Sequence, residues 1–311
     1  KSHKTYYYYT EKNRINEIKK ILKNDHSNDQ ISFTKPESNI SKEAFQNNVN
    51  ITKEYVKNGD IFQSVLSKKY EFKIYGNLIN VYKELRKLNP SPYMYYYKSD
   101  DLNIIGASPE MLVRMTGQRI ETFPIAGTRP RLNNQVQNAQ LTKELLADEK
   151  ENAEHIMLVD LARNDVGQIA EYGTVKVPEF RQVHQFSHVQ HIVSKVIGKI
   201  RPNLDAFDAV KAIFPAGTVS GAPKVRAMEI IQELEGDSRG PYAGALGYFS
   251  KNRSADFAIA IRTLVVKGND AYIQAGAGIV ADSIPEREWN ETEQKASALI
   301  SALKVAGGVI N

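Results

Sequence analysis

The chain has 311 residues, enough for one large domain or two modest ones, and its hydrophobic share of 41% is ordinary for a water-soluble globular protein. No apolar run reaches the roughly 18 residues of a membrane span, and the start is not typical of a signal peptide. The chain holds no cysteine, which excludes disulfides, thiolate metal sites and cysteine nucleophiles. We therefore expect a cytoplasmic protein without a membrane partner.

The net charge of +5, with a sequence pI near 9.0, raises the question of a nucleic-acid partner. The basic residues are dispersed, and no basic run reaches five residues, so the sequence does not indicate a nucleic-acid surface. A small anionic substrate explains the same excess of positive charge.

The predicted elements in chain order are runs of strands interrupted by helices. We expect a strand at residues 5–9, a helix at 17–22, an exposed polar connection from 24 to 41, and a helix at 41–58 that ends at an Asn-Gly pair. Later strands are expected at 61–70, 94–98, 103–105, 112–115, 120–123, 243–250, 257–266 and 271–273, and helices at 149–165, 224–235 and 285–305. Runs of strands with hairpin-like turns predict an α+β fold rather than a βαβ repeat.

Two pairs of glutamates have helical spacing. Glu151 and Glu154, and likewise Glu288 and Glu291, are three residues apart, so each pair lies on one helical face. The two faces together would form an oxygen-rich site suited to Mg²⁺. Spacing alone favours a solvated face instead. The polar residues 163–165, which end an apolar helix, indicate a buried polar end and so favour the metal site.

The segment 215–224 joins a predicted strand to a helix. Hydroxyls of Thr218 and Ser220, with the free N–H groups of a helix start, would suit a carboxylate. Pro223 is typical of a first helical turn. An ordinary capped turn is the alternative, and the spacing matches neither a P-loop nor a dinucleotide fingerprint.

Two further features favour an anionic ligand. Glycines in the run 275–278 would let the backbone approach a ligand closely. Arg262, inside an otherwise apolar predicted strand, needs a partner, which is either a substrate carboxylate or a structural ion pair.

Three histidines, His184, His188 and His191, raise the possibility of a zinc site. If all three share one strand, His191 faces away from the other two, and no cysteine is available to help. We therefore expect one acid–base histidine and two structural ones.

Taken together, these segments resemble the family of chorismate-utilising enzymes, in order from about residue 41 to 303. The likeness rests on the motifs at 59–63 (GDIFQ), 89–94 (NPSPYM), 106–110 (GASPE), 124–131 (PIAGTRPR) and 154–165, and on the segments 215–224 and 275–278. The resemblance implies an α+β fold of two large antiparallel sheets packed as a sandwich, with helices outside and the active site between the halves. It implies a catalytic domain at 41–311, preceded at 1–40 by a remnant of the N-terminal region and a linker.

The resemblance also implies roles for individual residues. Mg²⁺ is the implied cofactor, with Glu154 and Glu291 as direct ligands and Glu151 and Glu288 holding its waters. The implied general acid at the C4 hydroxyl is Glu110, while His191 is associated with pyruvate loss. The implied substrate positions are Thr218, Gly278 and Lys295 around the ring carboxylate, Tyr242 and Arg262 at the enolpyruvyl carboxylate, and Thr128 and Gly276 nearby.

The sequence departs from the family pattern in two places. Leu132 follows Arg131 where the family usually has glycine. The strand that contacts feedback tryptophan in the family is not found, and the implied remnant of that inhibitor site is Asn89, Pro90, Ser91, Tyr93 and Met94. We therefore expect weak or absent tryptophan inhibition of the 311-residue chain.

Two positions distinguish the reactions of the family. Members that add water have a lysine at the position of Gln63, and aminodeoxychorismate synthases typically have a lysine nucleophile at the position of Ala126. The resemblance therefore implies the catalytic subunit of an anthranilate synthase, acting in tryptophan biosynthesis, with chorismate and ammonia as substrates. A glutamine amidotransferase subunit would supply the ammonia in a hetero-oligomer. An aminodeoxyisochorismate or aminodeoxychorismate synthase, or a truncated non-catalytic binding subunit, remain the alternatives.

Overall fold

A computed structural model of the protein describes residues 7–23, 30–185 and 189–310. Within these ranges the strands are β1 (Ile31–Thr34), β2 (Glu37–Ser38), β3 (Gln63–Tyr75), β4 (Tyr93–Ser99), β5 (Leu102–Ser108), β6 (Met111–Thr116), β7 (Arg119–Thr122), β8 (Ile125–Pro130), β9 (Lys176–Gln185), β10 (Val189–Lys199), β11 (Gly221–Ala222), β12 (Ala245–Phe249), β13 (Ala255–Ile259), β14 (Thr263–Lys267), β15 (Asp270–Ile279) and β16 (Gly307–Ile310). The α-helices are α1 (Ile15–Lys23), α2 (Lys42–Lys57), α3 (Ile79–Leu88), α4 (Gln135–Ala147), α5 (Glu149–Gly167), α6 (Ala206–Ile213), α7 (Lys224–Glu235) and α8 (Pro285–Ala306), and a 3₁₀ turn spans Gly217–Val219.

The first sheet has nine strands, in the order β16-β1-β3-β15-β14-β5-β4, with β2 and β11 also paired to β3. The long strand β3 pairs antiparallel with β15 over ten positions, from Ser64 opposite Ile279 to Lys73 opposite Asp270. Helices α3 and α8 cover one face of this sheet, where Leu85 and Leu299 pack against its apolar side chains. Burial of these apolar stripes is the main stabilising contribution of this half.

The second sheet has seven strands, in the order β12-β13-β6-β7-β10-β8, with β9 also paired to β10. Helices α5 and α6 pack on it and bury Val159 and Ile213 against Ile120 and Val196. The predicted α+β fold of two sheets with helices outside is thus confirmed. No helix in the described ranges is both long and apolar enough to span a membrane.

Most predicted helices are confirmed, but the N-terminal prediction is partly wrong. α2 begins after Ser41, whose side chain accepts the Ala44 N–H, and ends at Asn58 as expected. The stretch 30–41 is not an exposed connection, because it contains β1, in which Ile31 and Phe33 are fully buried. These two apolar residues alternate with polar ones, as in a strand, but the polar residues around them made the stretch resemble an exposed loop. The predicted strand at 5–9 lies partly outside the described residues, and its described end, at 7–9, is irregular.

The predicted strand at 257–266 is two strands in two different sheets. β13 belongs to the second sheet and β14 to the first, and the chain crosses between them at Arg262. β13 ends at Ile259, and Arg262, directly before β14, has φ 51°, a left-handed conformation in which the chain turns toward the first sheet. The strand predicted directly before the segment 215–224 is wrong as well, because helix α6 precedes this segment.

Candidate active site

A cavity of about 1090 Å³ lies between the two halves of the molecule. Its walls come from β3, β15 and α8 of the first half and from β8, β10 and α5 of the second. A cleft between two packed layers, lined by several charged groups, is a common location for a ligand site. The cavity therefore lies where the resemblance places the active site.

Nearly all the predicted site residues line this cavity. They are Gln63, Asn89, Pro90, Ser91, Glu110, Ala126, Thr128, Glu151, Glu154, His191, Thr218, Tyr242, Arg262, Gly276, Gly278, Glu288, Glu291 and Lys295. Two are not brought to it. The hydroxyl of Tyr93 instead donates a 2.8 Å hydrogen bond to Asp256, and Met94 packs into the core of the first sheet.

Four glutamates from two helices face the cavity together. Glu151 and Glu154 lie on α5, and Glu288 and Glu291 lie on α8. Burial raises the pKa of Glu154, and the charges of Glu151 and Glu291 raise this pKa further. Burial also raises the pKa of Glu288, with Glu291 adding to the rise. The carboxylates thus destabilise one another's charged forms, and a cation between them would relieve this repulsion.

The donor set fits a hard divalent cation. Among the described residues, no three acidic or histidine side chains are placed to hold a metal ion by themselves. Mg²⁺ does not need such a cluster, because it usually takes one or two carboxylates and keeps several waters. Lys295 pairs with Glu291 at 2.6 Å and Arg129 with Glu151 at 3.4 Å, so protein cations neutralise only part of the site.

Glu110 lies at the start of β6, on the cavity wall. Burial raises the pKa of its carboxyl to about 7, and a hydrogen bond from Thr218 and the charge of Lys295 oppose this rise. Thr218 Oγ1 lies 2.9 Å from Glu110 Oε1. A carboxyl with a pKa near neutral can hold a proton and release it at physiological pH, which suits a general acid. Ser220 is not in the cavity, because its hydroxyl donates to the Ala216 carbonyl.

His191 lies on β10 between two neighbouring strands, opposite Thr128 of β8 and His184 of β9. The expectation that His191 faces away from His184 is wrong, because the two residues occupy paired strands and therefore share one face. His188 lies outside the described residues. Nδ1 of His191 is 2.8 Å from the Gly127 carbonyl oxygen, so this nitrogen carries the hydrogen and Nε2 is the basic one. Burial lowers the pKa of His191 and favours the neutral ring.

Arg262 and Tyr242 form the end of the cavity where the chain crosses between sheets. Burial lowers the pKa of Arg262, with Tyr242 and Glu291 acting in the opposite direction. The Tyr242 hydroxyl has its pKa raised to about 12 by burial, so it remains a donor. No ion pair of Arg262 is found among the described residues, so a substrate carboxylate suits it better than the alternative structural pair.

Glycines on β15 bring the backbone to the cavity surface. A Cβ added at Gly276 would lie 2.6 Å from the Tyr242 hydroxyl and 2.9 Å from the Leu66 carbonyl oxygen, and one at Gly278 would collide with the Gln63 amide. Lys295 donates a 2.8 Å hydrogen bond to the carbonyl of Gly276. An added side chain at either glycine would therefore collide with protein atoms, and close approach of the backbone to a ligand stays a prediction.

Gln63, on β3, lines the cavity from the first half of the molecule, and Ala126, on β8, lines it from the second half. The Gln63 amide donates a 3.1 Å hydrogen bond to Glu154 Oε1, which ties β3 to α5. Ala126, on β8, is 8% exposed and offers no reactive group. Neither residue can act as a base or as an amine nucleophile at this position.

Some cavity residues were missed by the sequence analysis. Lys150 opposes the burial-driven rise in the pKa of Glu154 and Glu288 through its charge. Its four-residue spacing from Glu154 on α5 could have revealed it. Gln274 also lines the cavity, two residues before Gly276 on β15, so the period of a strand places both on one face.

Comparison with known proteins gives a consistent result. The family model described as chorismate binding enzyme matches residues 2–301. Anthranilate synthase component 1 of Methanothermobacter marburgensis is 52% identical over 295 residues, which are 95% of this chain and 64% of that protein. The Aquifex aeolicus protein of the same name is 56% identical over 269 residues, covering 86% of this chain and 54% of that one.

A solved structure is similar as well. The crystal structure of anthranilate synthase component I from Streptococcus pneumoniae has a TM-score of 0.83 and 44% identity, covering 92% of this chain and 64% of that chain. This chain therefore belongs to the family of chorismate-binding enzymes. It spans between about half and two thirds of the length of the curated relatives named above.

Proposed function

We propose that this chain is the chorismate-converting part of an anthranilate synthase, which forms anthranilate, pyruvate and water from chorismate and ammonia. The observation that carries the proposal is the set of side chains that line one cavity. It combines a carboxyl with a pKa of about 7 at Glu110, four convergent glutamates, and the non-basic residues Gln63 and Ala126. This combination supplies a proton to a leaving hydroxyl, and Gln63 and Ala126 themselves supply neither a base nor a covalent nucleophile.

Chorismate has two carboxylates, so the cavity needs two places that bind an anion. The ring carboxylate would lie near Thr218, Gly278 and Lys295, next to the glutamates. The enolpyruvyl carboxylate would lie at Tyr242 and Arg262, where a buried guanidinium and a phenol can both donate hydrogen bonds. Chorismate held at both ends presents its C2 and C4 atoms to the middle of the cavity, which fixes the geometry of attack.

In the first step, the lone pair of ammonia forms a bond to C2, the two ring double bonds each shift by one position, and the C4–O bond breaks. Glu110 gives its proton to the departing oxygen, which leaves as water. Burial of Glu110 holds this proton near neutral pH, and Thr218 orients the carboxyl. The amine then loses its extra proton to solvent, and aminodeoxyisochorismate is formed.

In the second step, a proton leaves C2 and the ether bond at C3 breaks, so the ring becomes aromatic. The side chain takes a proton at its methylene carbon and departs as pyruvate. His191 supports this step as the proton-handling group, because its hydrogen bond to Gly127 makes Nε2 the basic nitrogen.

Magnesium is proposed as the cofactor, held by Glu154 and Glu291 directly and by Glu151 and Glu288 through waters. When bound, it would neutralise the ring carboxylate and stabilise negative charge that develops in the ring. We also propose that a glutamine amidotransferase subunit supplies the ammonia in a hetero-oligomer. The 311 residues contain no cysteine that could hydrolyse glutamine, and the relatives carry the name component 1.

The test is an assay of the purified protein with chorismate, ammonium and Mg²⁺, followed by anthranilate fluorescence and by product analysis. Anthranilate and pyruvate in equal amounts are the expected result. Accumulation of aminodeoxyisochorismate without pyruvate would support the alternative enzyme that stops after the first step. Binding of chorismate without turnover would support a non-catalytic subunit.

A further inference from the structure

A buried ion pair outside the substrate positions links two segments that the sequence analysis singled out. Lys224 Nζ is 2.7 Å from Asp165 Oδ2, and the two side chains are 13% and 7% exposed. Asp165 lies near the end of α5, and Lys224 opens α7. The same ammonium also donates a 2.7 Å hydrogen bond to the carbonyl of Ile213, the last residue of α6.

These contacts close a loop. Residues 213–224, here called the site loop, begin at the carbonyl that Lys224 binds and end at Lys224 itself. The Ile213 carbonyl has lost its helical partner at the end of α6, so the ammonium satisfies it. Asp165 fastens the closed loop to α5, the helix that also carries Glu154. One side chain thus fixes both ends of the loop to the framework of the cavity.

Thr218 lies in the middle of the site loop, where its hydroxyl binds Glu110. A small cavity of about 40 Å³ separates part of the loop from α5 and β6, and Glu110, Thr218, Asp165 and Ile213 all border it. The later part of the site loop is held by β11, which pairs with β3, and by a 2.7 Å hydrogen bond from Arg239 to the Val219 carbonyl. Lys224 is the contact that ties the two ends of the loop to each other and to α5.

We propose that Lys224, fixed by Asp165, is a positioning residue for the reaction: it closes the site loop and thereby holds Thr218 against Glu110. Neither side chain of this pair lines the 1090 Å³ cavity. The effect of Lys224 on turnover rests on the proposed general-acid function of Glu110. Its effect on the position of Thr218 does not depend on that function. The groups that act on the Glu110 carboxyl are Thr218 and Lys295, so loss of the Thr218 contact should be visible at Glu110 itself.

The variants are Lys224→Met and the double variant Asp165→Asn with Lys224→Met. The double variant removes both charges at once, because a buried partner left unpaired could prevent folding. Lys195→Met is the matched control, since Lys195 pairs with Glu121 at 3.2 Å, is 17% exposed and lies outside the site loop. Each protein is checked for folding by thermal unfolding before it is assayed.

The first readout is the titration of the Glu110 carboxyl by NMR in the resting protein, assigned with Glu110→Gln. We expect Lys224→Met and the double variant each to raise the pKa of Glu110, and we expect Thr218→Val to raise it in the same way. Combining either with Thr218→Val should raise this pKa no further. The second readout is turnover, where kcat should fall about 10- to 100-fold with a smaller change in KM. Lys195→Met should change neither.

An unchanged Glu110 titration in the folded double variant would overturn the proposal, and so would a shift that adds to that of Thr218→Val. The NMR titration needs no turnover. If the wild-type protein makes no anthranilate, the proposed function fails while the titration still decides whether Lys224 positions Thr218.

Discussion

Thr218 Oγ1 donates a hydrogen bond of 2.9 Å to Glu110 Oε1, although 108 positions separate the two residues in the sequence. Burial raises the pKa of Glu110 to about 7, and the Thr218 bond works against that rise by stabilising the carboxylate. Burial thus places the pKa of Glu110 near neutral pH, and the Thr218 bond limits how far this pKa rises.

The pH dependence of turnover follows from this pair. A general acid must be protonated, so kcat should fall as the pH rises through about 7, the pKa of Glu110. Thr218→Val removes a donor to the carboxylate, which raises that pKa and should move the alkaline limb of the kcat profile to higher pH. The measurement is kcat for anthranilate formation across the neutral range. A limb that moves to lower pH in Thr218→Val would contradict this assignment.

Glu110→Gln removes the proton donor while keeping the shape of the side chain. We expect kcat to fall by about 10²- to 10⁴-fold, the usual contribution of general acid catalysis, with little change in KM. The alkaline limb should disappear from the remaining activity. Retention of the wild-type limb in Glu110→Gln would show that another group titrates.

Magnesium dependence should follow the four glutamates of the cavity. Glu154→Gln or Glu291→Gln removes a charge from a direct ligand and should abolish measurable Mg²⁺ activation, whereas Glu151→Gln and Glu288→Gln should weaken it by about 10- to 100-fold. Binding of Mg²⁺ is measured by calorimetry as well as by activity. Glu286→Gln is the control, because Glu286 lies on the same helix but pairs with Lys42 at the surface. Full activity of Glu154→Gln in the presence of a chelator would rule out the site.

Close backbone approach at Gly276 gives a steric prediction. A methyl group there would lie 2.6 Å from the Tyr242 hydroxyl, so Gly276→Ala must push Tyr242 or β15 aside. We expect a rise in KM for chorismate and a loss of about 1–3 kcal/mol of unfolding free energy, typical of an overpacked site. Gly167→Ala is the control, since an added Cβ there meets nothing within 4 Å. Equal KM and equal stability in the two variants would show that the site tolerates the methyl group.

Regular elements with strong periodicity could be predicted from the sequence, and their long-range contacts could not. The helix spacing of Glu151 and Glu154 placed them on one face, and the structure places them together in the cavity. Nothing local to Thr218 indicates that it reaches Glu110, because that contact depends on how the site loop lies on α5 and β6. Only the family resemblance grouped those two residues.

The crossing at Arg262 shows why one prediction failed. The run 257–266 is apolar apart from Arg262 and Thr263, because β13 and β14 are both buried, so the two strands have the same hydrophobic character. β13 ends at Ile259, and the left-handed residue Arg262 lies directly before β14, where the chain enters the other sheet. Arginine is not a residue that favours this conformation, so composition gave no signal of the turn.

The choice of nucleophile should depend on Gln63 and Ala126. Gln63 donates its amide to Glu154 and has no basic atom, so Gln63 cannot activate water, while neutral ammonia already has a reactive lone pair. Gln63→Lys places an amine beside Glu154 that could remove a proton from water. We expect this variant to form some isochorismate and to make anthranilate more slowly.

Ala126→Lys tests the other side of the cavity. Ala126 is buried on β8 opposite Ile192, and a lysine there would direct an amine toward the substrate. We expect loss of anthranilate formation and, on incubation with chorismate, an adduct on the new lysine that mass spectrometry can locate. The wild-type protein should show no lysine adduct during turnover, because ammonia attacks C2 directly. If the unmodified protein makes isochorismate or 4-aminodeoxychorismate as its main product, the nucleophile is water or a protein amine, and Gln63 and Ala126 do not set the reaction.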